Sequence, residues 1–295
     1  MLGILYAVVT ILAWGTWLAP SQNIRFKNQQ IRTFYVAAAN LVLAAVVLLV
    51  QGASTLTLDV FWLPFIGGLV WSVSGFLAFT ATSQIGMARA FGIWAPVNVV
   101  VSIIWGMLIF NEFLAANVRT LLLLAGALGL ILAGVLLIIF AKGGKDRQPA
   151  ANFFGMGLFS AIGAGVLWGS YFIPIKLASV SMWVAAFPLA VGIFVGSSLL
   201  VLQARQSLRL ESSGAVLRVC ATGLLWGIGN YGMLLLVEQL GAGRGFTLSQ
   251  LSVVVNGLVG IYWLKDPPAR SRAGTLTLIG CVLATAGGIL LGNLK

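Results

Sequence analysis

The sequence predicts an all-α integral membrane protein of ten transmembrane helices, arranged as two inverted five-helix repeats. Three observations support this prediction: the composition, the long apolar runs and an internal repeat. Of the 295 residues, 60% are hydrophobic and 8% are charged, and the mean hydropathy is +1.05. Soluble domains carry about 25% charged residues, so this composition leaves no room for a large soluble domain.

Apolar runs bounded by charged residues, proline or glycine place the helices in order. A membrane-spanning helix needs about 20 mostly apolar residues. Stretches such as 121–140 are apolar on every face, which favours helices over the alternating strands of a membrane barrel. The predicted helices are 2–20, 33–50, 61–82, 88–110, 118–140, 155–174, 181–203, 216–237, 243–264 and 273–292. No basic segment precedes the first run, so we expect a retained span and not a cleaved signal peptide.

The second half of the chain repeats the first at an offset of about 154 residues. Both halves contain a Trp-Gly motif followed by proline, a Gly-x-x-Trp pair and a Gln-x-Gly-x-x-Arg-x-Phe element. The matched pairs are Trp14 and Trp168, Gly15 and Gly169, Thr16 and Ser170, Trp17 and Tyr171, Pro20 and Pro174, Gly68 and Gly223, Trp71 and Trp226, Gln84 and Gln239, Gly86 and Gly241, Arg89 and Arg244, and Phe91 and Phe246. We therefore predict a first repeat over 1–142, a basic linker over 143–154 and a second repeat over 155–295.

Five helices in each half place the second half in the membrane with the opposite orientation. Such inverted repeats are typical of secondary carriers, whose substrate site lies between the halves. On the predicted topology, the face that carries the termini has four Lys and Arg residues, and the opposite face has thirteen. Because basic residues concentrate on the cytoplasmic side, we expect both termini outside the cytoplasm.

The Trp-Gly-Thr-Trp and Trp-Gly-Ser-Tyr motifs ahead of Pro20 and Pro174, together with the block from Arg89 to Phe113, resemble the drug/metabolite transporter superfamily. Within that superfamily, the chain is most similar to the glucose/ribose/rhamnose porters. The resemblance covers essentially the whole chain. It implies a multi-pass carrier in the cell membrane that takes up a sugar, with both termini outside.

The inventory of reactive side chains argues against an enzyme. The chain has no His, six carboxylates, and two cysteines, Cys220 and Cys281, which fall in apolar stretches without metal-like spacing. General acid–base and metal catalysis therefore have few groups to use. We expect no cofactor, no metal and no nucleic-acid partner.

No ionisable residue is predicted near a helix centre, so the expected cargo is a small neutral solute. The candidate substrate-binding residues are polar or aromatic: Trp14, Thr16, Trp17, Asn40, Trp71, Ser74, Asn98, Trp168, Ser170, Tyr171, Trp226, Asn230, Tyr231 and Asn256. A sugar suits this set, because hydroxyls pair with amides and the apolar face of the ring lies against an indole. A flat amphipathic metabolite suits it nearly as well.

Structural roles compete with binding at several of these residue types. Tryptophans gather at membrane interfaces, and we interpret five others as interfacial anchors: Trp62, Trp94, Trp105, Trp183 and Trp263. The four asparagines fit hydrogen bonds between helices equally well. The small-residue seams that begin at Ala125, Gly165 and Gly288 fit close helix packing, with contacts in a homodimer as the alternative.

Arg89 and Arg244, in the repeated Gln-x-Gly-x-x-Arg-x-Phe element, are predicted at opposite membrane faces. Each arginine either extends to the membrane interface or binds carbonyls at a neighbouring helix end, or it acts as a gate whose contacts form only when its own side of the carrier closes. Glu238 is the candidate for proton coupling, although a passive carrier needs no coupling residue.

Two classes of function remain. The leading hypothesis is a carrier that imports a small neutral sugar by alternating access, and the alternative of the same superfamily exports an amphipathic metabolite or drug. A membrane scaffold or a non-transporting enzyme forms the second class. A protein of this second class would show no flux of a solute.

Overall fold

The computed structural model describes residues 2–52, 56–110, 117–141, 151–178, 180–205, 207–240, 246, 248–265 and 267–294, and all regular elements in these ranges are helical. The helices are α1 (Leu2–Thr16), α2 (Gln29–Gln51), α3 (Leu58–Ile85), α4 (Met87–Phe110), α5 (Val118–Phe140), α6 (Ala151–Trp168), α7 (Phe172–Leu177), α8 (Met182–Ala204), α9 (Ser213–Leu240), α10 (Ser252–Leu258) and α11 (Arg272–Gly292). A 3₁₀ turn at Ala19–Ser21 follows α1, and a π-helical turn at Val259–Trp263 follows α10.

The prediction of an all-helical membrane protein is confirmed. Within the described ranges, nine helices are long and apolar enough to cross a membrane, and Ser252–Trp263 is a shorter apolar helix. This shorter helix occupies the second part of the predicted span 243–264, of which residues 243–245 and 247 lie outside the described ranges. Large apolar side chains such as Leu49 and Phe159 are exposed on the outside of the bundle, as expected of a surface in contact with lipid.

Proline interrupts the first and the sixth predicted spans at the matched Trp-Gly motifs. The α-helix α1 ends at Thr16, ahead of the 3₁₀ turn, and α6 ends at Trp168, ahead of α7. Pro20 and Pro174 have no N–H to donate to the carbonyl four residues earlier. The Ser170 carbonyl instead accepts from the Ile173 N–H at 3.1 Å, a tighter turn. Both breaks therefore fall at the matched Trp-Gly motifs, in the interior of the bundle.

The remaining helix boundaries have local causes. Asn28, Asn117 and Ser271 each accept a hydrogen bond from the backbone N–H three residues later, at 2.9–3.1 Å, and so cap α2, α5 and α11. Gly86 alone separates α3 from α4, with a φ of +83°. Only glycine adopts this conformation readily, so Gly86 permits the sharp reversal between the two spans.

Helices from the two halves pack mainly against each other. The main contacts pair α5 with α11, α3 with α8, α3 with α6, α1 with α9, α2 with α8, α4 with α6, α2 with α9 and α1 with α10. Close approach depends on glycine: a Cβ at Gly169 would lie 2.7 Å from Cβ of Val101, and a Cβ at Gly15 would collide with Val255. The interior of the bundle is therefore built from both halves.

Candidate functional site

A cavity lies in the interior of the bundle, between helices of the two halves. The empty space between its lining residues, including space open to solvent, is about 400 Å³. Nine of its eleven lining residues are aromatic: Trp14, Trp17, Trp71, Phe91, Trp94, Trp168, Tyr171, Trp226 and Phe246; the other two are Asn98 and Gln250. Eight of the nine form four pairs that the internal repeat matches.

Trp168 is at the centre of the aromatic cluster. Its ring centroid lies 5.1 Å from that of Trp94, 6.0 Å from Trp71 and 6.1 Å from Trp17. Trp71 in turn approaches Trp226 at 4.4 Å. Edge-to-face and tilted contacts of this kind each stabilise by about 0.5–1.5 kcal/mol beyond the burial of area. The cluster is therefore a stiff wall against which a flat apolar surface can lie.

The indole N–H groups of the cavity differ in their hydrogen bonding. Trp14 Nε1 donates to the Trp226 carbonyl at 3.1 Å. Trp71 Nε1 and Trp168 Nε1 are buried and have no hydrogen-bond partner among the described residues. Buried polar groups are almost always paired, so these two donors can each bond an acceptor beyond the described residues, on a bound solute or a water.

Seven of the fourteen predicted binding residues line the cavity: Trp14, Trp17, Trp71, Asn98, Trp168, Tyr171 and Trp226. The sequence signal that these residues share is the repeat, since six of them are matched in pairs. Tyr171 also donates its hydroxyl to Asn230 Oδ1 at 2.9 Å, which places Asn230 directly behind the cavity wall.

The other predicted residues form the support around the cavity. Thr16 and Ser74 donate to backbone carbonyls of their own helices, at 2.7 and 2.8 Å. Ser170 Oγ accepts from Trp105 Nε1 at 2.8 Å, a bond between the two halves. Asn256 Nδ2 donates to the Gly15 carbonyl at 3.4 Å.

Asn40 and Tyr231 are buried at two other helix contacts. Asn40 Oδ1 lies 2.6 Å from the position of a Cβ at Gly227 of α9. The Tyr231 ring lies 5.6 Å from that of Trp183. Neither residue lines the cavity described above.

Of the predicted gating and coupling residues, Arg89 and Glu238 are described by the structure, and neither lines the cavity. Arg89 is buried in the first turn of α4, with 7% of its surface exposed. Arg244 lies outside the described residues. Glu238 is exposed near the end of α9. Their roles stay predictions.

Four lining residues were absent from the predicted site: Phe91, Trp94, Phe246 and Gln250. Phe91 and Phe246 are a matched pair, so the repeat already contained the signal for both. The interpretation of Trp94 as an interfacial anchor is wrong, because this side chain is 2% exposed and packs on Trp168. Trp62 and Trp263, by contrast, are 55% and 73% exposed.

Comparisons with known proteins agree on one family. The family model described as "Sugar transport protein" matches residues 5–294. A "Putative sugar uptake protein" of Enterococcus faecalis is 29% identical, and one of Lactiplantibacillus plantarum is 26% identical. Each alignment covers 100% of both chains.

A solved crystal structure has the same fold. It superposes on this chain with a TM-score of 0.64 and 18% sequence identity, covering 98% of this chain and 95% of the other. At this identity the likeness concerns the architecture alone.

Proposed function

Because the chain belongs to the sugar transport protein family, we propose that it is a carrier that imports a small neutral sugar by alternating access, and not an enzyme. The observation that carries this proposal is the pair of buried, unpaired indole donors, Trp71 Nε1 and Trp168 Nε1, in a cavity walled by aromatic rings. These donors and rings are the substrate site, and the sugar moves through it between the two sides of the cell membrane.

The chemistry of the lining fits a sugar on both of its surfaces. A pyranose ring has an apolar face of C–H groups, which packs against an indole, and a rim of hydroxyl oxygens, which accept hydrogen bonds. An unpaired buried donor costs about 1–3 kcal/mol, so each oxygen that pairs with one contributes to binding. Asn98 and Gln250 add amide groups that both donate and accept.

The neutral character of the substrate follows from the charges around it. Among the lining residues, the only titratable side chain is the phenol of Tyr171, and a phenol is neutral at pH 7. A phosphate or carboxylate on the sugar would lose its water without gaining a counter-charge, which is costly in a low-dielectric interior. The site therefore favours uncharged sugars over their phosphorylated or acidic derivatives.

Alternating access is supported by contacts that recur with the halves exchanged. Gly15 meets Val255 of the second half, and Gly169 meets Val101 of the first. The two contacts are related by the same offset of about 154 residues on both sides. Two similar halves that pack in this reciprocal way have two near-equivalent arrangements available, each open to one side. The excess of basic residues on one face supports placing both termini outside the cytoplasm.

Uptake into proteoliposomes tests the proposal. Purified protein is reconstituted, and entry of radiolabelled neutral hexoses, pentoses and deoxyhexoses is compared with entry of a hexose phosphate, a uronate and a lipophilic amine. We expect saturable entry of at least one neutral sugar and no entry of the two anionic sugars. Transport of the amine without any sugar would support the exporter instead, and stability in detergent that no solute changes, together with no flux, would contradict a carrier.

Side-specific labelling tests the orientation. A cysteine added after residue 295 in a background without Cys220 and Cys281 should react with an impermeant thiol reagent in intact cells. Reaction only after permeabilisation would reverse the orientation, without affecting the proposal about the sugar.

A further inference from the structure

Arg32, near the start of α2, is a buried cation held by neutral groups. Its side chain is 2% exposed. Nε and Nη2 donate to Ser21 Oγ at 3.1 and 2.9 Å, Nη2 also reaches Gln22 Oε1 at 3.4 Å, and Nη1 donates to Thr82 Oγ1 at 3.3 Å. The guanidinium carbon lies 4.4 Å from the ring centroid of Phe79. We name Arg32, Ser21, Gln22, Thr82 and Phe79 the Arg32 cluster.

No carboxylate in the described part of the chain pairs with Arg32. Hydroxyl and amide oxygens therefore satisfy its N–H groups, and the face of Phe79 adds a cation–π contact. Burying an arginine is expensive, and a position retained only for packing needs no charge. We therefore look for a role at this position that needs the charge of Arg32 and that an apolar side chain could not perform.

The Arg32 cluster joins the two halves of the protein. Ser21 Oγ, which Arg32 holds, accepts a hydrogen bond from Thr222 Oγ1 of α9 at 2.7 Å. One residue earlier, the Pro20 carbonyl accepts from Arg218 Nε of the same helix at 2.8 Å. These two hydrogen bonds join the turn after α1 to the second half, at the end of the bundle where α1 terminates.

The cluster also contacts the wall of the cavity. The Phe79 ring that carries Arg32 lies 5.6 Å from the ring of Trp17, which lines the cavity. A displacement of Arg32 and its turn would therefore remove the support behind Trp17. The cluster lies between the cavity and the end of the bundle that we assign to the cytoplasm.

The internal repeat has no second copy of this arrangement. At the matched positions, Ser21 corresponds to Ile175, Arg32 to Ala186, Thr82 to Val237 and Thr222 to Gly67. The Ser21–Thr222 hydrogen bond is replaced there by apolar contact, with Ile175 Cγ1 3.5 Å from the position of a Cβ at Gly67. The other end of the bundle has a different contact between the halves, in which Ser170 Oγ of the turn after α6 accepts a hydrogen bond from Trp105 Nε1 at 2.8 Å.

We propose that Arg32 is a positioning residue that holds the gate at this end of the cavity closed, by fixing Ser21 for its bond to Thr222. This inference rests on the proposed carrier function, because a gate needs two alternating states. Bonds to neutral hydroxyls suit such a gate, because they are weaker than a buried ion pair and so stabilise the closed state without locking it.

Cysteine accessibility in the cavity tests the gate. Gln250→Cys is placed in a background without Cys220 and Cys281, and its reaction with an impermeant thiol reagent is measured from each side of oriented vesicles. Arg32→Gln removes the charge and the fork of donors. We expect the ratio of labelling from the Ser21 side to labelling from the other side to rise by roughly tenfold, since a hydrogen bond to a charged group is lost.

Three further variants separate a gate from a general structural effect. Thr222→Val keeps the shape and deletes the bond between the halves; we expect the same direction and a roughly threefold shift, the size of an average interhelical hydrogen bond. Arg32→Lys keeps the charge without the fork and should fall between wild type and Arg32→Gln. Arg25→Gln removes an exposed charge at the same end and should leave the ratio unchanged.

The outcomes decide between the alternatives. Shifts toward the Ser21 side in Arg32→Gln and Thr222→Val, with Arg25→Gln unchanged, support the gate. An unchanged ratio in Thr222→Val overturns it, including when Arg32→Gln fails to fold. A protein that moves no neutral sugar yet shows these shifts refutes the proposed substrate and keeps the gate, whereas sugar uptake with unshifted ratios refutes the gate alone.

Discussion

Trp14 and Trp168 occupy matched positions in the two halves, and their indole groups are used differently. The Trp14 N–H donates to the Trp226 carbonyl, at 3.1 Å. The Trp168 N–H is buried in the cavity without a partner among the described residues. The two residues therefore share a place in the repeat, but of the two only Trp168 has an N–H free for a further partner, which on the proposed function is the sugar.

We attribute the different hydrogen bonding of the two indoles to one residue that differs between the halves, Ser74 in the first and Gly229 in the second. In the matched geometry Trp168 would donate to the Trp71 carbonyl, but Ser74 Oγ already donates to that carbonyl, at 2.8 Å. The position that matches Ser74 is Gly229, where a Cβ would lie 2.6 Å from Trp14 Nε1. Glycine leaves room for the Trp14 ring to reach its carbonyl, whereas serine takes the equivalent carbonyl. Duplication thus supplies matched aromatic rings, and one small residue decides which of them remains available for binding.

The largest effect that we expect is on transport by Trp168→Ala. This change removes the ring that contacts Trp17, Trp71 and Trp94, together with the unpaired donor. Uptake at subsaturating sugar should fall by roughly 100-fold, since several aromatic contacts and a hydrogen bond are lost. Trp62→Ala, on the exposed surface of α3, is the matched control. Similar losses of uptake and of folded yield in Trp168→Ala would show that the ring only packs.

Gly229→Ala tests whether glycine makes room for Trp14. The added methyl would overlap the indole, so we expect the free energy of unfolding to fall by about 1–3 kcal/mol, as in other overpacked interiors. Thermal unfolding in detergent measures the change. Gly126→Ala of α5, where a Cβ would have no neighbour within 4 Å, should not destabilise. Equal stability of the two variants would contradict the steric explanation.

Replacing Trp14 or Trp168 by phenylalanine separates the contribution of the indole N–H from that of the aromatic ring. Trp168→Phe should weaken the apparent affinity for the sugar by about tenfold, because the donor to the substrate is lost while a ring remains. Trp14→Phe should leave that affinity within about twofold and lower stability by about 1 kcal/mol. Titration of sugar-dependent stabilisation measures both. Equal losses of affinity would mean that the two indoles are equivalent after all.

The smallest expected effect is that of Ser74→Ala. Without the serine hydroxyl, the Trp71 carbonyl becomes available to Trp168 Nε1. We expect an approximately threefold weaker affinity for the sugar, the size of a typical interhelical hydrogen bond in a membrane. Ser72→Ala, two residues earlier, removes a hydroxyl that bonds the Leu69 carbonyl of the same helix and serves as the control. An unchanged or tighter affinity in Ser74→Ala would contradict the idea that Ser74 and Trp168 compete for the Trp71 carbonyl.

The helices and half of the candidate site could be predicted from sequence because each leaves a periodic or repeated signal. Span positions follow from apolar runs, and four pairs of lining aromatics follow from the repeat. Trp94 could not be placed, because a tryptophan near a helix end looks the same at a lipid interface as in a buried cluster. Only its contact with Trp168, far away in sequence, distinguishes the two environments.

The Arg32 cluster was missed for a related reason. Its hydrogen-bonding members come from the turn after α1, the start of α2 and the end of α3, and it is fastened to α9. Each residue is an ordinary hydroxyl or basic side chain near a predicted membrane face. The burial of Arg32 appears only when these elements are assembled.

The one-sided Arg32 cluster also has a consequence for kinetics. The Arg32 cluster closes one end and the Trp105–Ser170 hydrogen bond the other, so on the proposed alternating-access mechanism the two orientations of the empty carrier differ in free energy. For uncoupled movement of a neutral sugar, half-saturating concentrations measured from the two sides will then differ, and the maximal rates will differ in compensating proportion. At equal sugar concentrations the opposing fluxes must still cancel. On this proposal, Arg32 influences the sugar concentration at which each face of the carrier saturates, while the concentration gradient alone sets the direction of net flow.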